Sequence, residues 1–240
     1  MSDDPGKSKL QRLWVPLLGI ALVAAIPRFY WMLTGAYNLV VVIFITFAIL
    51  PFALLDKTFR RPVGFVSMRW HWIPISFVIG VIAALMVYLV AYLMFGNSEL
   101  NWFVTIMKTF DNNDMLNLGR GSIVLFIVFT LPVMIFSPLG EEFFFRGLLH
   151  ESLALRFSPR QALAADAGIF GVTHLAHYGL YLQGGSVVLL PSAFAWVCLM
   201  CATAVLFYQV KRYSGSIWGA VLCHSGFNFS MMAIIFYVIH

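Results

Sequence analysis

Stretches of about 20 residues with no charge at all, separated by short basic clusters, decide what this chain can fold into. Residues 38–55, 73–95 and 187–210 hold no Asp, Glu, Lys or Arg, and 217–239 is interrupted only by His224. A bilayer core about 30 Å thick needs roughly 20 apolar residues per helix. Of the 240 residues 61% are hydrophobic and 10% charged, with a mean hydropathy of +0.89, outside the range of soluble domains. The expected fold is therefore an all-α, polytopic membrane helix bundle of about seven to eight transmembrane helices. Little chain is left for a domain in water, so any chemistry must use residues within or at the edge of the spans.

The expected spans are 13–33, which contains Pro27 and Arg28, then 38–55, 73–95, a fourth from about 122, a helix over 141–155, and 161–177, 187–210 and 217–239. The fourth runs into Ser137-Pro138-Leu139-Gly140, where a break or kink is expected. The stretch 97–118 mixes Trp102, Phe103, Ile106 and Met107 with Lys108, Asp111 and Asp114, and reads as an amphipathic loop lying on the surface. No cleavage signal follows the first apolar run, which is expected to stay as a helix. Residues 1–12 then form a cytoplasmic tail, 13–120 the N-terminal transmembrane helices and amphipathic loop, and 121–240 the region that carries the chemistry.

A net charge of +5 could suggest nucleic acid, but the basic residues are dispersed among loops. Lys7, Lys9 and Arg12, then Lys57, Arg60, Arg61 and Arg69, then Arg156 and Arg160, then Lys211 and Arg212 alternate with connections poor in Lys and Arg. By the positive-inside rule this sets the N-terminus in the cytoplasm and the C-terminus outside, in a multi-pass protein of the cell membrane. The expected partners are the lipid bilayer and a membrane-anchored substrate, with no nucleic acid. Three cysteines make no disulfide framework, and Cys198 and Cys201 read as small packing residues within an apolar helix.

Ionisable groups inside apolar helices are costly, so each needs a reason. Here they are Glu141, Glu142, Arg146, Asp166, His174 and His224, accompanied by Asn228 and an interfacial His177. At about 100° per residue, Glu142 and Arg146 share a helix face, whereas Glu141 lies about 140° from Arg146. Arg146 is thus expected to neutralise Glu142, which leaves Glu141 to bind a water. His224 and Asn228, four residues apart, project from one face. Alone, each histidine could equally be a hydrogen bond between helices, and the glutamates could be solvated at the membrane edge. Together, on three separate helices, a carboxylate, two imidazoles and an amide are the inventory of a hydrolytic site. For Asp166 three readings stay open: orienting His174, contacting Arg28, or a hydrogen bond near the cytoplasmic end.

The ordered strings Glu141-Glu142-x-x-x-Arg146, Phe170-x-x-x-His174 and His224-x-x-x-Asn228 resemble the CAAX prenyl protease type II and bacteriocin-processing (CPBP, or Abi) family. Pro138, Phe145-Arg146-Gly147 and Gly215-Ser216-Ile217-Trp218 agree with it, over about 137–228. The resemblance implies a glutamic-type intramembrane endopeptidase without a cofactor. In it Glu141 and His174 activate water, His224 and Asn228 stabilise the oxyanion, and Glu142 with Arg146 supports the site. Two histidines and a glutamate can also bind zinc, so a zinc site stays open. His150-Glu151-Ser152-Leu153 departs from the zincin string at Ala154. Ser216 and Ser225 lack the Gly-x-Ser-Gly surroundings of a serine protease, and there is no paired-aspartate site. A bacteriocin-immunity or proton-coupled membrane protein without proteolysis is the other class these residues allow. Phe143 to Phe145 could line a substrate groove or simply pack.

Overall fold

A computed structural model describes residues 5–111 and 122–239, with backbone alone for 5–8 and 109–111. Residues 1–4 of the expected tail, 112–118 of the amphipathic loop with its Asp114, 119–121 and 240 lie outside the described residues. In chain order the helices are α1 (Pro5–Arg12), α2 (Trp14–Leu33), α3 (Val40–Leu54, entered through a 3-10 turn at Tyr37–Leu39), α4 (Lys57–Val63), α5 (Trp72–Phe95) and α6 (Trp102–Asp111). Then come α7 (Ile123–Glu141), a π-helical segment (Glu142–Leu149), α8 (His150–Ala154), α9 (Pro159–Thr173), a 3-10 turn (His174–Ala176), a hairpin of β1 (Leu180–Gln183) and β2 (Ser186–Leu189), α10 (Ala193–Ser214) and α11 (Ile217–Tyr237).

Among the described residues six stretches are long and apolar enough to cross a membrane: Trp14–Leu33, Tyr37–Leu54, Trp72–Phe95, Ile123–Ala154, Ala193–Ser214 and Ile217–Tyr237. Their outward faces carry Leu22, Val23 and Ile26 on α2 and Val78, Ile82, Met86 and Leu93 on α5, all exposed. Apolar surface on this scale belongs against lipid. The remaining expected span is shorter than anticipated. α9 has 15 residues, about 22 Å at 1.5 Å per residue, less than the bilayer core.

Three expectations shift locally. No break occurs at Ser137–Gly140: the helix continues past Pro132 and Pro138 and changes instead into wide π turns at Glu142. Residues 187–189 are strand, not helix, because Gln183-Gly184-Gly185-Ser186 closes a hairpin. Gly184 and Gly185 have φ of +58° and +82°, as a two-residue hairpin turn of the primed type needs. The helix that follows starts only at Ala193, beyond Pro191. And 102–111 is a helix whose Trp102, Phe103, Val104 and Met107 are buried. Its Trp102 packs against Phe95, Tyr178 and Trp196, with the Lys108–Glu99 pair (2.6 Å) outside.

Two ends of the bundle are defined by contacts between loops. At one end the Gly64 carbonyl accepts from the Ile217 amide (2.9 Å), Ser216 Oγ donates to the Val66 carbonyl (2.6 Å), and Lys211 pairs with Glu151 (2.6 Å). The basic loops after α3, α8 and α10 thus meet on one side, as their charge pattern requires. At the other end the Tyr178 hydroxyl donates to the Leu100 carbonyl (2.7 Å) and contacts Ser192 Oγ.

α11 is the axis of the bundle and the most enclosed of the six apolar helices. Its small residues Gly219, Ala220, Cys223, Ser225, Gly226 and Ser230 are buried. Without a hydrophobic drive between helices in lipid, small residues allow the close backbone approach that packing needs. A methyl on Gly80 of α5 would collide with the Cys223 carbonyl oxygen, and one on Gly226 with the Phe77 carbonyl. Gly140 meets the Phe44 backbone of α3 in the same way, which seats the end of α7 and therefore Glu141. On α9, Gly171 lies against Cys201 Sγ of α10, so Cys201 is a packing residue.

Gly80→Ala is expected to destabilise the protein by about 1–3 kcal/mol through overpacking, read as a lower midpoint of unfolding in detergent. Gly19→Ala, where nothing lies within 4 Å, should leave that midpoint unchanged or raised. Equal effects from both variants would remove the close α5–α11 approach as the reason for the glycine.

Candidate active site

The end of α7 delivers Glu141 to the interior with 0% of its surface exposed, and Glu142 and Arg146 follow at 0% in the π segment. π turns of this kind recur at functional sites, where an extra residue re-aims side chains. The expected i, i+4 pair forms: Arg146 Nε lies 3.2 Å from Glu142 Oε2. The guanidinium rests on the Phe170 ring, 4.1 Å from its centroid, which supplies a cation–π contact where water is excluded.

Glu142 has a second partner that the helix geometry did not reveal. His224 Nδ1 donates to Glu142 Oε1 at 2.8 Å, so Glu142 bridges Arg146 and His224. An ionised carboxylate only accepts, so Nδ1 carries the proton and Nε2 points onward. The Phe207 ring stacks on the imidazole (4.6 Å between centroids, 19° between planes) and fixes its plane.

His174 is oriented by its own helix. Its Nδ1 donates to the Phe170 carbonyl at 2.7 Å, and the Phe170 ring lies 4.2 Å from the imidazole. A carbonyl can only accept, which leaves Nε2 as a lone pair. The Trp196 indole donates to the His174 carbonyl at 2.9 Å, bracing the turn where α9 ends.

Both ring nitrogens aim at one oxygen. His174 Nε2 and His224 Nε2 are each 3.9 Å from Glu141 Oε2. That is beyond hydrogen-bond range and suits one small atom bonded to all three. Asn228, one turn beyond His224, donates from Nδ2 to the Val133 carbonyl of α7 at 3.0 Å, so one of its two amide protons already ties α11 to α7. The Ser225 hydroxyl does the same to Met134 (2.8 Å).

Two participants were not identified as such from the sequence. Arg28 of α2 is 2% exposed, with Nη1 2.8 Å from Glu141 Oε1. Its Nη2 donates to His177 Nε2 at 2.7 Å. His177 is half-buried and engaged with α2. The signal was a lone arginine, after Pro27, inside an otherwise apolar span. Asp166 neither orients His174 nor contacts Arg28. Its Oδ2 lies 3.9 Å from Arg146 Nε and 3.8 Å from His150 Nδ1, fully buried on the side away from Glu141. His150 and Glu151, the near-zincin pair, diverge: one faces Asp166 and the other pairs with Lys211.

Phe143, Phe144 and Phe145 are all buried. Phe144 stacks on Phe47 at 4.0 Å, Phe143 packs edge-on against Phe65 and Trp218, and Phe145 against Phe170. They wedge the π segment into the bundle, and Phe145 also lines a small cavity with Arg28, Phe47 and Thr173.

Residues 123–230 match the family model described as type II CAAX prenyl endopeptidase Rce1-like. The match takes in Glu141, Glu142, Arg146, His174, His224 and Asn228, and leaves out Arg28. No curated protein and no solved structure matches the chain.

Arg146→Met would leave Glu142 and Asp166 buried without their cation. A loss of about 3–5 kcal/mol is expected, measured by unfolding in detergent. Lys108→Met, which breaks the exposed pair with Glu99, should cost no more than about 1 kcal/mol. A comparable effect of the two would mean that the buried network is not what holds the π segment.

Proposed function

We propose, from the match of residues 123–230 to the Rce1-like type II CAAX prenyl endopeptidase model and from the geometry of the site, that this multi-pass membrane protein hydrolyses a peptide bond of a membrane-anchored peptide or protein by a glutamic-type mechanism. The observation that carries the reading is the convergence of two imidazole Nε2 atoms on Glu141 Oε2 at 3.9 Å each, in a pocket almost closed to water.

A water between these three groups is polarised by the Glu141 carboxylate and the His174 lone pair, which together take its proton. The hydroxide oxygen bonds to the peptide carbonyl carbon, and the carbonyl π electrons move to oxygen. His224 faces that oxyanion through Nε2, with Glu142 behind Nδ1 supporting the protonated imidazolium that can donate there. The second amide proton of Asn228 is the other donor. Each such donor is worth about 2.7–4 kcal/mol in hydrolases where it has been removed. Collapse of the intermediate breaks the C–N bond as the proton held by Glu141 and His174 passes to the leaving amine. No cofactor enters this scheme, and zinc is the alternative to be tested.

In the same reading the basic end faces the cytoplasm. Residues 1–12 are the tail there, 13–120 the helices that shelter the site, and 121–240 the catalytic region. α9, extended by its 3-10 turn, serves as a seventh crossing, since it starts beside the basic loops and ends where Tyr178 meets Leu100.

Glu141→Gln and His174→Ala should each lower cleavage of a membrane-anchored substrate by roughly 10²–10⁴-fold while the protein stays inserted. Membrane peptides that accumulate in cells carrying Glu141→Gln identify the substrate and whether it bears a lipid. Activity should survive a chelator; loss on chelation and return with zinc would hand the water to a metal. Undiminished cleavage in both variants would end the mechanism. The absence of any substrate that accumulates would favour a non-proteolytic immunity or proton-coupled role.

A further inference from the structure

Arg28 lies outside the segment that carries the family match, yet its guanidinium is the cation paired with Glu141 among the described residues, at 2.8 Å. Arg146, the other buried arginine, faces Glu142 and Asp166. An arginine in the middle of an apolar span is costly, and such residues face the bundle interior and mark working sites. α2 buries little besides: Leu17, Ala21 and Arg28. Two of its neighbours fix the side chain. His177 Nε2 accepts from Nη2 at 2.7 Å, and the Phe44 ring lies 5.4 Å beneath the guanidinium carbon.

The pairing divides the two oxygens of Glu141. Oε1 is taken by Arg28, and Oε2 is presented to His174 and His224. A carboxylate with no counter-charge in so dry a place would take up a proton or swing toward another cation. Either change would leave no ionised oxygen aimed between the two imidazoles.

We propose that Arg28, steadied by His177, is a positioning residue that keeps Glu141 ionised and turns Oε2 toward the two histidines. The inference rests on the proteolytic reading of the site for its effect on rate, but the pairing itself does not. Arg28 touches no reacting atom in the scheme. Its role makes α2, at the far end of the chain, part of the working site, so that displacement of α2 would disarm Glu141.

The test uses the full-length protein in lipid nanodiscs. Arg28→Gln should lower kcat about 10²-fold, the scale of a small misplacement of a reacting group, with KM little changed. Arg28→Lys, which keeps the charge but loses the fork, should recover part of it. His177→Gln should cause a smaller loss that adds nothing to that of Arg28→Gln. Infrared difference spectra provide a readout apart from turnover. Arg28→Gln should gain the carbonyl stretch of a protonated carboxyl, and Arg28→Gln/Glu141→Gln should lack it. If Arg28→Gln fails to fold, the comparison of Arg28→Lys with His177→Gln carries the same test.

An unchanged kcat and no new carbonyl band would overturn the proposal. A rate that fell only in step with the amount of folded protein would also overturn it, reducing Arg28 to an anchor. If the band appeared as expected but the wild type cleaved nothing, the pairing would stand and the proteolytic reading would fail.

Discussion

Ionised carboxylates inside an apolar bundle survive only beside a cation, and the arrangement of this protein follows from that requirement. Glu141, Glu142 and Asp166 are fully enclosed, and two guanidinium groups, Arg28 and Arg146, stand against them. The Coulomb attraction in such a medium is large, but so is the cost of removing each charge from water. The balance holds only where each carboxylate is held tightly against its cation. That ties five helical segments to one point: α2 through Arg28, α7 and the π segment through the glutamates and Arg146, α9 through Asp166 and His174, and α11 through His224.

Packing supplies the tightness. Glycines at crossings let α5 close on α11 and α7 close on α3, with no room for a methyl at either contact. The π segment then widens the helix where it must present an acidic pair in two directions. Phe170 and Phe207 serve as plates between charged groups, one under Arg146 and beside His174, the other against His224. Their rings exclude water from the guanidinium and hold the imidazoles in plane. The phenylalanines around this site therefore hold its charged and imidazole groups without any polar group of their own.

These contacts cross the boundary of the family match. The family match begins at residue 123, but the guanidinium paired with Glu141 comes from residue 28. A carboxylate on one helix and its counter-ion on another, more than a hundred residues away, make the site depend on how α2 docks. α2 turns Leu22, Val23 and Ile26 outward and joins the bundle through Leu17 and Ala21 in the core as well as through Arg28 at the site.

Membrane embedding, the meeting of basic loops at one end of the bundle and the Glu142–Arg146 pair were all legible in the sequence. Each depends on local composition or on spacing within one helix, and helical periodicity is a property of the backbone alone. The ordered motifs also brought Glu141, His174 and His224 together, because their residue types have few uses in lipid. What only the tertiary structure decided is which group faces which across helices. It placed Arg28 on Glu141, gave Glu142 to His224 as well as Arg146, turned Asp166 toward His150, and committed one proton of Asn228 to Val133. Those pairings depend on the crossing and rotation of helices distant in the chain, set by glycine contacts and aromatic volumes that no single helix records. The apolar stretches with which the sequence reading began therefore determined the solvent of this protein, and the few charges within them determined that it has a site. The partners of those charges were settled by packing, because an ion in hydrocarbon takes whichever counter-charge the fold brings within reach.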